Sequence, residues 1–312
     1  YTLLGELQIP AVFLPALDFM SIDENSEPEL PKISEKLKAI LAQYPNERLF
    51  ITQGYICKNH RNEVDNLKRG GSDYTASLVA AAINASVCEI WTDIDGMHNN
   101  DPRVVDRTRP IAEMSFDEAA ELAYFGAKIL HPASIWPAQL YNVPVKLLNT
   151  MEPTAHGTLI KAEVETTGVK AIAAKDGITA IKIKSSRMLL AYGFLRRIFE
   201  VFEKYKTPID MITTSEVAVS VTIDDLSHLE QIQAELESFG TVEIDRNQAI
   251  ICVVGNKVAE TKGAVQSVLD SLIDIPVRMV SFGGSKHNVS ILVDAQYKTQ
   301  ALKSLNEGVF TW

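Results

Sequence analysis

Lys68-Arg69-Gly70-Gly71-Ser72-Asp73-Tyr74-Thr75 joins a basic pair, two glycines and a Ser-Asp helix start, and the rest of the chain is organised around it. Glycine reaches positive φ without steric cost and lets backbone approach a ligand closely. Ser72 or Asp73 can cap a helix running through Ala85, whose first N–H groups then point at an anion. Arg69 adds a planar fork suited to a carboxylate, and Asp73 a fixed negative charge suited to an ammonium. Together these are the groups that recognise an amino acid. A plain glycine turn before a capped helix has the same local pattern, so the stretch by itself leaves both readings open. Its spacing is neither that of a P-loop nor that of a dinucleotide-binding G-x-G-x-x-G.

Upstream, residues 48–56 form an apolar run reaching Gly54 and Tyr55, the form of a buried parallel strand whose carboxyl end feeds a ligand-binding loop. The polar residues 57–68 are the expected loop between that strand and the glycines. Further back, residues 1–8 read as the end of a helix, 11–14 as a short buried strand and 21–31 as an acidic, proline-bearing loop. Ile33, Leu37, Ile40 and Leu41 then recur at helical spacing. Downstream, residues 87–92 are the next strand, with Thr92 and Asp93 at its end and a turn through Asp101-Pro102-Arg103 beyond. Ser115 is placed to cap a helix that carries Ala119, Leu122, Ala123 and Phe125 and ends at Gly126-Ala127-Lys128. Residues 133–140 and 143–148 follow as helix and strand. Such alternation indicates a parallel sheet covered on both faces.

A chain of 312 residues with 46% hydrophobic content holds two or three domains with cores of their own. No apolar run approaches the ~18 residues of a membrane span and no basic stretch opens the chain, so the expected location is the cytoplasm, away from membranes. Cys57, Cys88 and Cys252 are far apart and odd in number, which suggests neither a disulfide framework nor a zinc site. A formal charge of −10 opposes a nucleic-acid surface. Small molecules are the expected partners.

After the loop at 149–158 and the polar run 161–168 the texture changes. Residues 178–183 read as a strand, 193–205 as a helix, 208–213 and 217–223 as strands and 226–239 as a helix. A second copy follows, with a strand at 249–254, a helix at 258–273, strands at 275–281 and 289–293 and a helix at 295–305. Pro208-Ile209-Asp210-Met211-Ile212 answers Pro276-Val277-Arg278-Met279-Val280, and Val221-Thr222-Ile223-Asp224 answers Ile291-Leu292-Val293-Asp294. Each copy has the order of a ferredoxin-like βαββαβ unit.

Arg69-Gly70-Gly71-Ser72-Asp73-Tyr74-Thr75, Glu89-Ile90-Trp91-Thr92-Asp93, Asp101-Pro102-Arg103, Phe125-Gly126-Ala127-Lys128 with His131-Pro132, and Asn149-Thr150 with Gly157-Thr158 stand in the order and spacing of the aspartate kinases. Over nearly its whole length the chain resembles that family, in its monofunctional, lysine-sensitive form. The resemblance implies an α/β fold: an amino-acid-kinase-like αβα sandwich, truncated at its N-terminus, followed by two ferredoxin-like ACT domains. The implied boundaries are residues 1–160 for the kinase part, 161–168 for a linker and 169–312 for the tandem ACT part. Within the latter, the first domain takes about 178–245 and the second about 169–175 plus 247–312.

The implied reaction is ATP-dependent phosphorylation of the L-aspartate β-carboxylate to 4-phospho-L-aspartate, the first step towards lysine, threonine and methionine. Arg69 is implied to hold the α-carboxylate, with Gly70, Gly71, Ser72 and Tyr55 lining the substrate. Asp73 is implied to hold the ammonium or orient phosphate-binding groups. Ser72, Thr92, Asp93, His98 and Arg103 are implied to face ATP, and Lys128 to neutralise charge as the phosphoryl group moves. Mg²⁺ is implied to bind through the phosphates, with no metal ligand from the protein. L-lysine is the implied inhibitor, held by Met188, Ala191, Gly193, Phe194, Leu195, Ile209, Asp210, Ser215 and Glu216, and a homodimer or tetramer is implied through the ACT domains. Arg278 in place of Asp210 leaves the effector site to the first repeat.

Departures from the family are His98 where a Tyr is common, Cys57 for a Gly, Glu63-Val64-Asp65-Asn66 for a Thr-rich run, and the missing Lys-Phe-Gly-Gly-Thr-Ser opening. The last of these leads to the expectation that this chain alone turns over little. The competing expectation is a non-catalytic amino-acid-binding regulatory subunit with a residual kinase scaffold.

Overall fold

A computed structural model describes residues 2–68, 70–126, 130–185 and 192–311, divided between two units. The first takes the chain up to Met97, then Pro110–Tyr124 and the run ending at Glu165. It opens with α1 (Thr2–Glu6), β1 (Val12–Leu14), α2 (Ala16–Phe19), α3 (Leu30–Leu41) and β2 (Phe50–Thr52). β1 and β2 pair in parallel, Val12 opposite Phe50, while Ile33 and Leu37 of α3 turn into a core with Phe19, Met20 and Ile22. Burying side chains of this size contributes about 1.5–3 kcal/mol each.

The apolar run at 48–56 does not continue as one strand. Tyr55 takes φ +76, which an extended strand cannot accommodate, and the chain turns there into a hairpin of β3 (Ile56–Lys58) and β4 (Val64–Asn66). The residues expected as a plain loop are this hairpin, closed by the Asn59 side chain, whose Oδ1 accepts from the N–H groups of Arg61 and Glu63 at 2.9 and 3.1 Å.

Next comes α4 (Gly71–Ile83), where Ala80, Ala81 and Ala82 are buried and let neighbouring helices approach closely. The Ser34 hydroxyl of α3 donates to Ala82 O at 2.7 Å. The unit continues with β5 (Cys88–Thr92), β6 (Glu113–Ser115), α5 (Phe116–Tyr124), α6 (Pro132–Leu140), β7 (Val145–Asn149) and β8 (Thr158–Lys161). These strands form a sheet in the order β5-β7-β8-β6, with β5 and β7 parallel from Cys88–Val145 to Thr92–Asn149. β6 and β8 are too short for periodicity to reveal. The cap on α5 is as expected: Ser115 N–H donates to Glu118 Oε2 at 2.7 Å and Glu118 N–H to Ser115 Oγ at 3.2 Å, a reciprocal capping box.

The second unit takes everything from Thr166, together with His98–Arg109, Phe125 and Gly126. Its elements are β9 (Gly168–Lys184), α7 (Phe194–Lys204), β10 (Ile212–Thr214), β11 (Ala218–Ile223), α8 (Leu229–Leu236), β12 (Thr241–Asn256), α9 (Ala264–Asp270), β13 (Val277–Phe282), β14 (Asn288–Asp294) and α10 (Lys298–Val309). One sheet runs β10-β11-β9-β12-β14-β13. Each repeat has the ferredoxin-like strand order, and each long strand serves both: the first half of β9 is an outer strand of the second repeat, and its second half a central strand of the first. β12 does the reverse. The strands expected at 169–175 and 178–183 are therefore one, kinked near Gly177 at φ +76. The helix expected at 258–273 is confined to α9, because Lys257 and Gly263 both take positive φ.

His98–Arg109 is built into this second unit, where no local signal places it. Val105 is 4% exposed in a core with Ile251, Val253 and Leu305. Asn100 Nδ2 donates to Leu302 O and to Asn306 Oδ1, both at 3.2 Å, and Asn306 Nδ2 donates to Arg107 O at 3.0 Å. Among the described residues no helix is long and apolar enough to cross a membrane.

Candidate functional site

The glycine stretch becomes one wall of a cavity in the first unit. Gly70 is the N-cap of α4, in the left-handed region at φ +71, and its carbonyl accepts the first helical bond from Tyr74 N–H at 2.8 Å. Neither Ser72 nor Asp73 is the cap, as the sequence suggested; the turn needs positive φ at the cap, which glycine supplies, and both side chains fall in the first helical turn. The N–H groups of Gly71, Ser72 and Asp73 thus have no partners within the helix and lie at its positive end.

Tyr55 is held over this helix start. Its N–H donates to Thr75 Oγ1 at 3.0 Å, its carbonyl accepts from Leu67 N–H at 2.8 Å, and the Thr75 hydroxyl donates to Gly71 O at 2.7 Å. A Cβ on Gly71 would lie 2.3 Å from Tyr55 Cδ2, so that position admits only glycine while Tyr55 stays in place. Tyr55, Asn66, Lys68, Gly70, Gly71, Ser72 and Asp73 line a cavity of about 610 Å³. Lys68 was quoted from sequence only as half of the basic pair and given no role, and Asn66 was not singled out at all; it arrives through the hairpin, which nothing local announces. Burial raises the Asp73 carboxyl above its ordinary value, and the Cys88 thiol on β5 is pushed up to about 11, first by burial and then by the charges of Asp73 and Glu89. Arg69 lies outside the described residues.

Thr92 and Asp93 stand at the carboxyl end of β5, the Thr92 hydroxyl donating to Asp93 Oδ1 at 3.0 Å and Thr92 O accepting from Thr150 N–H at 2.8 Å. His98 and Arg103 belong to the second unit. His98 Nδ1 is 3.2 Å from Thr108 Oγ1, and the guanidinium of Arg103 holds Asp101 through Nε at 2.9 Å and Nη2 at 2.8 Å. Lys128 lies outside the described residues. Among those described, no group of three or more His, Cys, Asp and Glu side chains is arranged to hold a metal.

A family model described as "Amino acid kinase family" matches residues 2–149, and another described as "ACT domain" matches 251–309. Lysine-sensitive aspartokinase 3 of Escherichia coli (strain K12) is 35% identical over 294 residues, covering 91% of this chain and 66% of that protein. The crystal structure of E. coli aspartokinase III in complex with aspartate and ADP (R-state) matches with a TM-score of 0.83 at 34% identity, over 99% of this chain and 72% of that one. The chain belongs to the aspartokinase family. The same E. coli enzyme in complex with lysine and aspartate (T-state) matches equally well, at 0.83 and 34%, over 99% of this chain and 71% of that one. Clostridium acetobutylicum aspartate kinase reaches a TM-score of 0.90 at 28% identity, over 99% and 73%. The chain spans about a third to two thirds of the length of the curated relatives it matches.

Of the aspartokinase effector residues expected in the second unit, Gly193 caps α7 at φ +76 and Phe194 spends its side chain in the core against Phe239. Leu195 is exposed and Ile209 packs on that core. Ser215 and Glu216 form the β10–β11 turn, where Ser215 N–H donates to Ala218 O at 2.8 Å. Asp210 accepts from Lys175 Nζ at 2.7 Å. Burial pulls the Lys175 ammonium down, but its bonds to Asp210 and Asp224 outweigh this and hold it above its ordinary value. Met188 and Ala191 lie outside the described residues.

Proposed function

We propose that the whole protein phosphorylates the β-carboxylate of L-aspartate with ATP, giving 4-phospho-L-aspartate at the head of lysine, threonine and methionine synthesis, and that L-lysine inhibits it through the second unit. The observation that carries the reading is the cavity at the start of α4, which offers helix N–H groups, Lys68 and Asp73 to one zwitterion in a chain of this family. The reaction joins a β-carboxylate oxygen to the γ-phosphorus and breaks that atom's bond to the bridging oxygen, leaving ADP. Arg69 and the N–H groups of residues 71–73 hold the α-carboxylate, and Asp73 the ammonium, so that the β-carboxylate is presented for attack. Tyr55 closes one side of the cavity. Thr92 and Asp93, at a parallel-strand end, suit the nucleotide, and Lys128 carries the charge needed as the phosphoryl group moves. Mg²⁺, held by the phosphates, supplies further neutralisation when bound.

Acyl phosphate trapped as hydroxamate from aspartate and Mg-ATP by the full-length protein is the test, with Lys128→Ala expected to lower kcat far more than it raises the aspartate KM. A Lys128→Ala protein with full turnover would leave that side chain as a helix-end cation only. Calorimetric titration with lysine, threonine and methionine tests the effector, and a preference for threonine would overturn the lysine assignment. The edge strands β10 and β13 expose Ile212, Val277 and Phe282, in keeping with pairing of two copies through their second units, which light scattering can measure. No disulfide links the three buried cysteines, in keeping with a cytoplasmic enzyme.

A further inference from the structure

Two non-glycine residues that line the cavity at α4, Tyr55 at φ +76 and Lys68 at φ +62, stand in the left-handed region. A Cβ meets steric opposition there that glycine escapes. The two are joined through the end of the hairpin: Leu67 N–H donates to Tyr55 O at 2.8 Å, and the next N–H, that of Lys68, donates to Asn66 Oδ1 at 3.0 Å. Lys68 is thus kept in a conformation its side chain disfavours, just ahead of Gly70 and the start of α4. Unfavourable backbone held in place by its surroundings gathers at ligand sites.

Among the described residues, Lys68 and Asp73 are the charged side chains lining this cavity, and neither makes an ion pair with the other or with any other described residue. With Arg69 of the same stretch they make a set of two cations and one anion. L-aspartate presents the complement, two carboxylates and one ammonium. On the functional reading above, Arg69 and the helix N–H groups take the α-carboxylate and Asp73 the ammonium. The β-carboxylate, which separates this substrate from the neutral amino acids, is left for Lys68. Its flexible stem lets the ammonium follow a carboxylate, and its charge offsets that of a carboxylate brought up to an anionic phosphoryl group.

We propose that Lys68 is the specificity-determining residue of this cavity, its ammonium binding the second carboxylate of a dicarboxylic amino acid. The proposal rests on the aspartate reading and adds to it a contact which that reading does not assign.

The test is calorimetric titration of L-aspartate and of L-asparagine, in which a neutral amide replaces that carboxylate, into the full-length protein and its Lys68→Met and Lys68→Gly forms. The parent should prefer aspartate. In both variants aspartate binding should weaken roughly ten- to a hundredfold, the worth of a hydrogen bond to a charged group, while asparagine binding changes less than about threefold. Glycine suits φ +62, so Lys68→Gly keeps the test decisive if Lys68→Met proves poorly folded. An aspartate preference that survives in both variants overturns the proposal and leaves the aspartate reading standing. So does a preference lost in Lys68→Gly but kept in folded Lys68→Met, which would put the effect in the backbone, or an equal loss of both ligands, which would mean general damage to the cavity. A parent that binds neither amino acid overturns the proposal and the aspartate reading together.

Discussion

Gly71→Ala tests the claim that Tyr55 and the start of α4 together shape the substrate cavity. The new Cβ would stand 2.3 Å from Tyr55 Cδ2 and 3.2 Å from Tyr55 Cα, where ordinary contact begins at 3.4 Å, so the ring must retreat by about 1 Å. The Tyr55 backbone cannot follow, because its N–H and carbonyl are bound to Thr75 and Leu67 at 3.0 and 2.8 Å. The ring therefore swings instead, moving the cavity wall. Overpacking of this kind costs about 1–3 kcal/mol, against which alanine's better helix propensity returns about 0.5–1 kcal/mol, leaving a net loss of up to about 2.5 kcal/mol. Misplacement of a positioning group by this distance is worth roughly ten- to a hundredfold in reaction efficiency. In the full-length enzyme the aspartate KM should thus rise at least tenfold while the ATP KM stays near its parent value, with a modest loss of thermal stability. Gly54→Ala, whose Cβ would meet Ser72 at 3.2 Å, is the milder companion and should give a smaller change in the same direction. An unchanged aspartate KM in Gly71→Ala, with stability also unchanged, would show that Tyr55 does not bear on the substrate.

Asp73→Asn should abolish turnover yet raise the melting temperature at pH 7. Because burial raises the folded carboxyl above its ordinary 3.8, the folded state binds that proton more tightly than the unfolded state, and stability falls as pH climbs from about 3.8 through the raised value. Asparagine escapes this penalty, so the gain should shrink as pH is lowered towards 3.8; a melting temperature that falls at pH 7 would contradict it. Asn306→Leu removes the bonds to Asn100 and Arg107 from a site 4% exposed and should cost about 2–4 kcal/mol. Val105→Ala, which opens a gap in the same region, should cost about 1–3 kcal/mol. In both proteins hydrogen exchange should quicken along His98–Arg109, and unchanged exchange there would mean that the segment is not held by the second unit's core.

The sequence by itself determined the longer elements and the order in which they follow one another. Alternating apolar runs and helical periods marked β2, α3, α4, β5, α6 and β7, because both signals arise from near neighbours along the chain. The matched stretches at Pro208 and Pro276 disclosed the two repeats, and Gly70 and Gly71 marked a tight helix start whose glycines the structure needs for positive φ at the cap and for the contact with Tyr55. What neighbours do not encode is which distant partner each group meets. The bend at Tyr55, the sharing of β9 and β12 between repeats, and the burial of Val105 and Asn100 beside α10 all rest on pairings across tens to hundreds of residues. The Lys175–Asp210 pair spans 35 positions and exists only because the first half of β9 comes within side-chain reach of the residues just before β10, so tertiary packing decided that a carboxylate legible as an effector contact is already held by a cation of the chain.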